Sequence, residues 1–274
     1  GQLWLGDSHT HFLILATGYL CQPKKPDIDG IDSFAGTVLH AQEWDDSYSL
    51  KGKRAAIIGT GSTGVQLIPK LADEVAELTV YQRTPIWVMP KLDFGFGPTA
   101  QRLFAKFPAT QRVLRVSSDL FMDIMVTLAM WRFRQFRPVN RIAATIGRLH
   151  RFLAIRDKGL RRKLTPGYDF GCKRPTLSNV YYRTFNKSHV HLETAGIERI
   201  EPDGIVGKDG SKRPIDTLVL ATGFDVWESN LPAIEVVGRE GRNLGKWWRE
   251  NKFQAYEGLT VPLFPNLLTQ ASPY

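Results

Sequence analysis

The clearest order in this chain is a series of short apolar segments, each closed by small or polar residues. Residues 12–16, 54–58 and 76–81 are runs of this kind, with the length and composition of buried parallel strands. Residues 12–19 and 217–224 are both apolar strands that end in Ala-Thr-Gly and an aromatic residue. After 54–58 comes Gly59-Thr60-Gly61-Ser62-Thr63-Gly64, and then 65–71, which reads as a helix. Residues 101–163 are also helical by pattern; within them Ile142, Ile146, Leu149 and Leu153 share one stripe, expected to pack inward. Residues 120–133 are apolar but hold Asp123 and are too short to span a bilayer. Gln2 to Leu5, followed by Gly6-Asp7, reads as a hairpin. Strands interleaved with helices make this an α/β chain.

A strand, a Gly-x-Gly-x-x-Gly loop and a helix in that order form a dinucleotide site. Gly59 permits the tight turn, Gly61 lets the backbone approach a pyrophosphate, and Gly64 lets the helix pack on the strand. The phosphates belong on the free N–H groups at the positive end of the helix, which assigns Ser62, Thr63 and Gln66 to the same site. An NAD site wants a carboxylate about 20 residues past the loop, to accept from the ribose hydroxyl. The 76–81 strand ends instead in Gln82-Arg83-Thr84. The planar fork of Arg83 suits a 2′-phosphate, so NADP is favoured over NAD and Arg83 and Thr84 join the site. The alternative is a solvated arginine capping a strand.

Between the first two strands lies 34–45, with Phe34, Gly36, His40, Trp44 and Asp45 at regular spacing. A connecting segment has no need of a glycine, an imidazole and an indole every four residues. This stretch resembles the Phe-x-Gly-x-x-x-His-x-x-x-Trp-(Pro/Asp) signature of type I Baeyer-Villiger monooxygenases, and all five positions match. The resemblance implies a two-dinucleotide-binding flavoprotein, with a Rossmann-like NADP domain, a helical insertion and part of an FAD domain. It divides the chain into 1–30 (partial FAD domain), 31–49 (signature linker), 50–93 with 166–216 (NADP domain), 94–165 (helical insertion) and 217–274 (return to the FAD domain). It implies FAD and NADP(H) as cofactors. It implies insertion of one oxygen atom of O2 beside a ketone, through a C4a-peroxyflavin, to give an ester or lactone. In Gly171-Cys172-Lys173-Arg174 it gives Lys173 to the 2′-phosphate beside Arg83. Arg174 becomes the catalytic cation at the flavin, where an arginine that keeps its proton stabilises developing oxyanions. Without the resemblance, the same residues read as a basic turn before a strand. Thr17, Gly18, Thr222 and Gly223, in the paired Ala-Thr-Gly segments, are assigned to cofactor contact at the domain crossings. His40 takes a structural or coupling role. No Gly-x-Gly-x-x-Gly precedes Phe12, so the chain is expected to be an internal stretch of a longer protein.

Composition refines this picture. The chain has 274 residues, 43% of them hydrophobic, enough for a sizeable core. Two cysteines, Cys21 and Cys172, are expected as free thiols in a cytoplasmic protein. The pairs His9/His11 and His189/His191 read as strand residues, and no metal is expected. The net charge of +9 is concentrated in 101–163, which holds fifteen Lys or Arg against three Asp or Glu. That excess reads as the wet face of an insertion over the NADP domain, or as a peripheral contact with anionic lipid. No nucleic-acid module accompanies it, so nucleic acid is not an expected partner. The expected partners are a small ketone and O2. Competing functions are N- or S-oxygenation by a related flavin monooxygenase, an NADPH-binding remnant without catalysis, and a membrane-associated scaffold. Paired Trp247 and Trp248 are expected in a core.

Overall fold

The computed structural model describes residues 10–16, 18, 20–91, 93, 95–128, 137–225, 234–251 and 254–270. Thr17, the 2–7 hairpin and the end of the 120–133 stretch lie outside them. The chain forms two compact units, Asp27–Ala221 and Gly1–Pro26 with Thr222–Tyr274.

In chain order the described elements begin with β1 (Leu13–Leu15), β2 (Thr37–His40) and β3 (Arg54–Ile58), followed by α1 (Ser62–Glu74), β4 (Glu77–Tyr81) and β5 (Val88–Met89). Four helices follow: α2 (Pro98–Lys106), α3 (Pro108–Val126), α4 (Arg137–Ala154) and α5 (Lys158–Lys163). Then come β6 (Thr176–Leu177), α6 (Tyr181–Thr184), β7 (Val190–Glu193), β8 (Ile197–Glu201), β9 (Gly204–Gly207), β10 (Lys212–Pro214) and β11 (Thr217–Leu220). The last are α7 (Leu244–Asn251), β12 (Thr260–Val261) and β13 (Phe264–Thr269).

The larger unit is built on a five-stranded parallel sheet in the order β2-β11-β3-β4-β7. Successive side chains on a strand point to opposite faces, and here both faces are covered. Ile57, Val80 and Val219 join Val65, Ile68 and Leu71 of α1 and the rings of Tyr181 and Tyr182 on one side. Ala56, Leu218 and Leu220 meet Ile200, Ile205 and Ile215 on the other, two of them on the antiparallel sheet β8-β9-β10. This double burial is why the strands read as unbroken apolar runs. Each fully buried Ile or Leu contributes about 1.5–3 kcal/mol.

Within the 31–49 stretch, Thr37–His40 pairs in register with Thr217–Leu220, itself a strand held between β2 and β3, and the chain re-enters the smaller unit at Thr222. One expectation is corrected. The stripe of α4 does not face inward: Ile142, Ile146, Leu149 and Leu153 are exposed at 63, 44, 53 and 74%. The helix buries Ala144, Gly147, Arg151 and Ala154 instead. Small residues win that face because the helix lies so close to Trp87 and Met89: a Cβ on Gly147 would sit 3.0 Å from Met89 Sδ and 3.1 Å from Trp87.

The smaller unit holds β1 parallel to β13 and β12 antiparallel to it. The strand read at 12–16 is the shorter Leu13–Leu15. Trp248 packs with Leu244, Phe264 and Leu267 in this unit's core, with Trp247 partly buried against it.

Candidate functional site

The glycine loop sits at the carboxyl end of β3, and each of its glycines is required for a different reason. Gly59 has φ +112°, and a Cβ there would stand 2.3 Å from the Ala221 carbonyl. A Cβ on Gly64 would stand 2.3 Å from the Gly59 carbonyl, so helix and strand can close only over a hydrogen. Gly61 is different: nothing lies within 4 Å of a Cβ there. It is the N-cap of α1 and offers no side chain to the first helical N–H groups. Those donors therefore have no side-chain cap, a condition for an anion site at a helix N-terminus. Ser62 and Gln66 are exposed and Thr63 half-buried around this mouth.

Two hydroxyl contacts bring distant segments to the loop. Buried Thr60 donates through Oγ1 to the Thr84 carbonyl at 3.5 Å, tying the loop to the end of β4, where Arg83 and Thr84 are exposed. Ser62 Oγ lies 3.2 Å from Thr176 Oγ1, two residues after Arg174. Thr176 belongs to β6, which pairs parallel to β5, so the basic turn is anchored beside the helix start. Lys173 holds its ammonium 5.0 Å from the centre of the Tyr168 ring, a cation–π contact. Arg174 is exposed. The Gln82 side chain is buried and donates to the Lys163 carbonyl at 2.9 Å, fixing the strand end from beneath. Thr60, Thr176 and Gln82 were not singled out in the sequence, since threonines and glutamines carry no spacing signal of their own.

The signature residues lie elsewhere in the same unit and act on packing. Phe34 is buried in the core below the sheet. A Cβ on Gly36 would lie 2.5 Å from both the Asp216 carbonyl and the Phe34 ring. His40 ends β2, and its Nδ1 accepts from the Gln42 N–H at 3.2 Å. Trp44 packs partly buried against the core of α1. Asp45 accepts from the Ser47 N–H and hydroxyl at 2.9 and 2.6 Å, which holds its carboxyl below the usual range. Asp216 accepts from the Arg54 N–H at 2.9 Å and from its guanidinium at 3.1 and 2.6 Å. These bonds push its pKa down to about 2.

In the smaller unit, Gly18 and Gly223 have φ +73° and +86°, with open space where a Cβ would be. The Thr222 hydroxyl donates to the Lys24 carbonyl, and Lys24 N–H donates to the Gly223 carbonyl at 3.0 Å. His189 and His191 are engaged separately, Nε2 of His189 with the Ala72 carbonyl at 2.9 Å and His191 with Glu77 at 3.3 Å.

Known proteins resemble this chain in sequence and fold. The flavin-binding monooxygenase-like family matches residues 10–126. A Baeyer-Villiger monooxygenase of Pseudomonas aeruginosa is 37% identical over 261 residues, covering 95% of this chain and 48% of that protein. One from Streptomyces coelicolor is 37% identical over 262 residues, covering 95% and 49%. The chain thus spans about half the length of the curated relatives it matches. An open crystal structure of cyclohexanone monooxygenase superposes with a TM-score of 0.77 at 28% identity, covering 96% of this chain and 57% of that one. OTEMO in complex with FAD and NADP gives 0.77 at 29%, covering 96% and 56%. The fold is therefore the mixed α/β fold of the two-dinucleotide-binding flavoproteins. Residues 10–126 thus match the flavin-binding monooxygenase-like family, and the chain is similar to Baeyer-Villiger monooxygenases over about half of their length.

Proposed function

We propose that this chain is part of an FAD- and NADPH-dependent monooxygenase of the Baeyer-Villiger type, acting in the cytoplasm on a small ketone to give an ester or lactone. The observation that carries this reading is the convergence of an open glycine cradle, the Arg83 strand end and the Lys173-Arg174 turn, joined through Thr60–Thr84 and Ser62–Thr176. The names of the relatives support the reaction class, and the OTEMO complex supports the cofactor pair.

Each residue has a task in this reading. The uncapped N–H groups beside Gly61, at Ser62 and Thr63, bind a pyrophosphate, and Gly59 and Gly64 keep the turn tight enough to aim them. Gln66 and Thr84 line the same mouth. Arg83 and Lys173 hold the 2′-phosphate. Gly18, Thr222 and Gly223 let main chain pass close to the flavin. When bound, the two cofactors supply the electrons that reduce one oxygen atom of O2 to water while the other enters the substrate. Arg174 supplies a permanent positive charge where negative charge builds on oxygen, a role strongest where water is excluded. His40, Trp44, Phe34 and Gly36 set the packing beneath the site.

The test is made on the full-length protein with NADPH, offering a ketone, an amine and a sulfide in parallel. Ester or lactone from the ketone is expected; oxide from the amine or sulfide alone would replace this reading with heteroatom oxygenation. Arg174→Ala is expected to lower ester formation about 100-fold while NADPH oxidation continues. Arg83→Ala is expected to cut the preference for NADPH over NADH about tenfold or more. Unchanged oxygenation or preference would remove these assignments.

A further inference from the structure

The helices between Phe96 and Leu153 leave an apolar surface uncovered. Neither α2 nor α3 buries a single residue. On α4, Phe152 at 60% joins the exposed stripe of Ile142, Ile146, Leu149 and Leu153. Sixteen of the 28 exposed large hydrophobic side chains among the described residues fall in this stretch. Helices gain most of their stability from burying an apolar face, and soluble surfaces rarely leave a broad apolar patch in water. Something therefore covers it.

Charge selects the occupant. Residues 101–163 hold fifteen Lys or Arg and three Asp or Glu. Arg102, Arg112, Arg115, Arg141 and Arg148 are exposed and make no ion pair among the described residues. At 100° per residue, Arg141 and Arg148 stand between the exposed stripe and the buried face of α4, Arg148 with its guanidinium 5.9 Å from the centre of the Trp87 ring. A second copy of the chain would bring two like-charged surfaces together. An anionic bilayer accepts both features at once, the apolar side chains below the headgroups and the arginines among them. None of the described helices is long and apolar enough to cross a membrane, so such contact lies in the plane of the surface.

We propose that α2, α3 and the Ile142–Leu153 face of α4 dock on an anionic lipid surface. This inference stands apart from the reaction. It is tested by co-sedimenting the full-length protein with phosphatidylcholine vesicles that contain or lack phosphatidylserine, at low and high salt. Binding is expected to require phosphatidylserine and to weaken about tenfold in the doubly substituted Ile146→Glu, Leu149→Glu protein. Leu153→Gln, at a side chain 74% exposed, serves if the double variant does not fold. Failure to bind phosphatidylserine vesicles would overturn the proposal. Equal binding by the variants would also overturn it, because charge alone would then suffice without this face. Two further results would assign the face to another occupant: a lipid-free dimer that the variants dissociate, or a fall in the melting temperature of lipid-free Leu153→Gln protein.

Discussion

At the scale of single residues, Gly61 and Gly64 separate folding from binding. Their side chains are identical, but a Cβ on Gly64 meets main chain at 2.3 Å while one on Gly61 meets nothing within 4 Å. Gly64→Ala should therefore destabilise the protein by about 2–3 kcal/mol, since backbone must move to admit a methyl group. Gly61→Ala should change stability by less than about 0.5 kcal/mol, because its φ of −70° suits any residue. In the proposed site the pyrophosphate approaches here, so the methyl group should still weaken NADPH binding about tenfold. Urea denaturation and fluorescence titration of the two variants distinguish these effects; equal losses in both would refute the division. The glycine pattern was readable from the sequence because only glycine meets these steric demands. The hydroxyls of Thr60 and Thr176, which hold the neighbouring segments on the loop, were not readable, because their partners lie 24 and 114 positions away.

At the scale of elements, α4 shows how periodicity can identify a helix and misjudge its face. Its apolar stripe and its small-residue face are both regular, and the choice between them rests on what the opposing surface can accept. Trp87 and Met89 already fill that space. Gly147→Val is thus expected to cost about 1–3 kcal/mol by overpacking, whereas Leu149→Gln should stay within about 0.5 kcal/mol in lipid-free solution. Thermal melts of both variants check the assignment, and the opposite ranking would reverse it. Between β3 and β11 the anchor is the Asp216 carboxylate on Arg54. The folded pKa of about 2 lies below the ordinary value of 3.8. The carboxylate therefore stabilises the fold fully above about pH 4, and that contribution is lost as pH falls through 2. The side chain is 35% exposed, so solvent screening limits Asp216→Asn to about 1 kcal/mol at neutral pH. Chemical denaturation across pH 2 to 7 should show wild type and variant converging only at the acid end; a constant gap would remove the charge argument.

At the scale of the whole molecule, the chain leaves Asp27–Ala221 only at its two ends. That unit owns the five-stranded sheet, both cores that cover it, and every residue assigned to NADPH. The polypeptide 27–221 is accordingly expected to fold cooperatively alone and bind NADPH within about threefold of the full-length protein, a difference of ~0.7 kcal/mol. Circular dichroism and titration test this, and an unfolded or non-binding product would show that the smaller unit is needed. The sequence by itself determined the family signature, the glycine loop, the buried strands and the basic character of 101–163, because each is a local pattern that needs no partner to be recognised. Only the tertiary structure decided that β2 and β11 close one sheet, that α4 turns its small residues inward, and that the hydroxyls of Thr60 and Ser62 meet the Thr84 carbonyl and Thr176. Those outcomes depend on contacts between distant segments, where the space left by one element selects the face of the next.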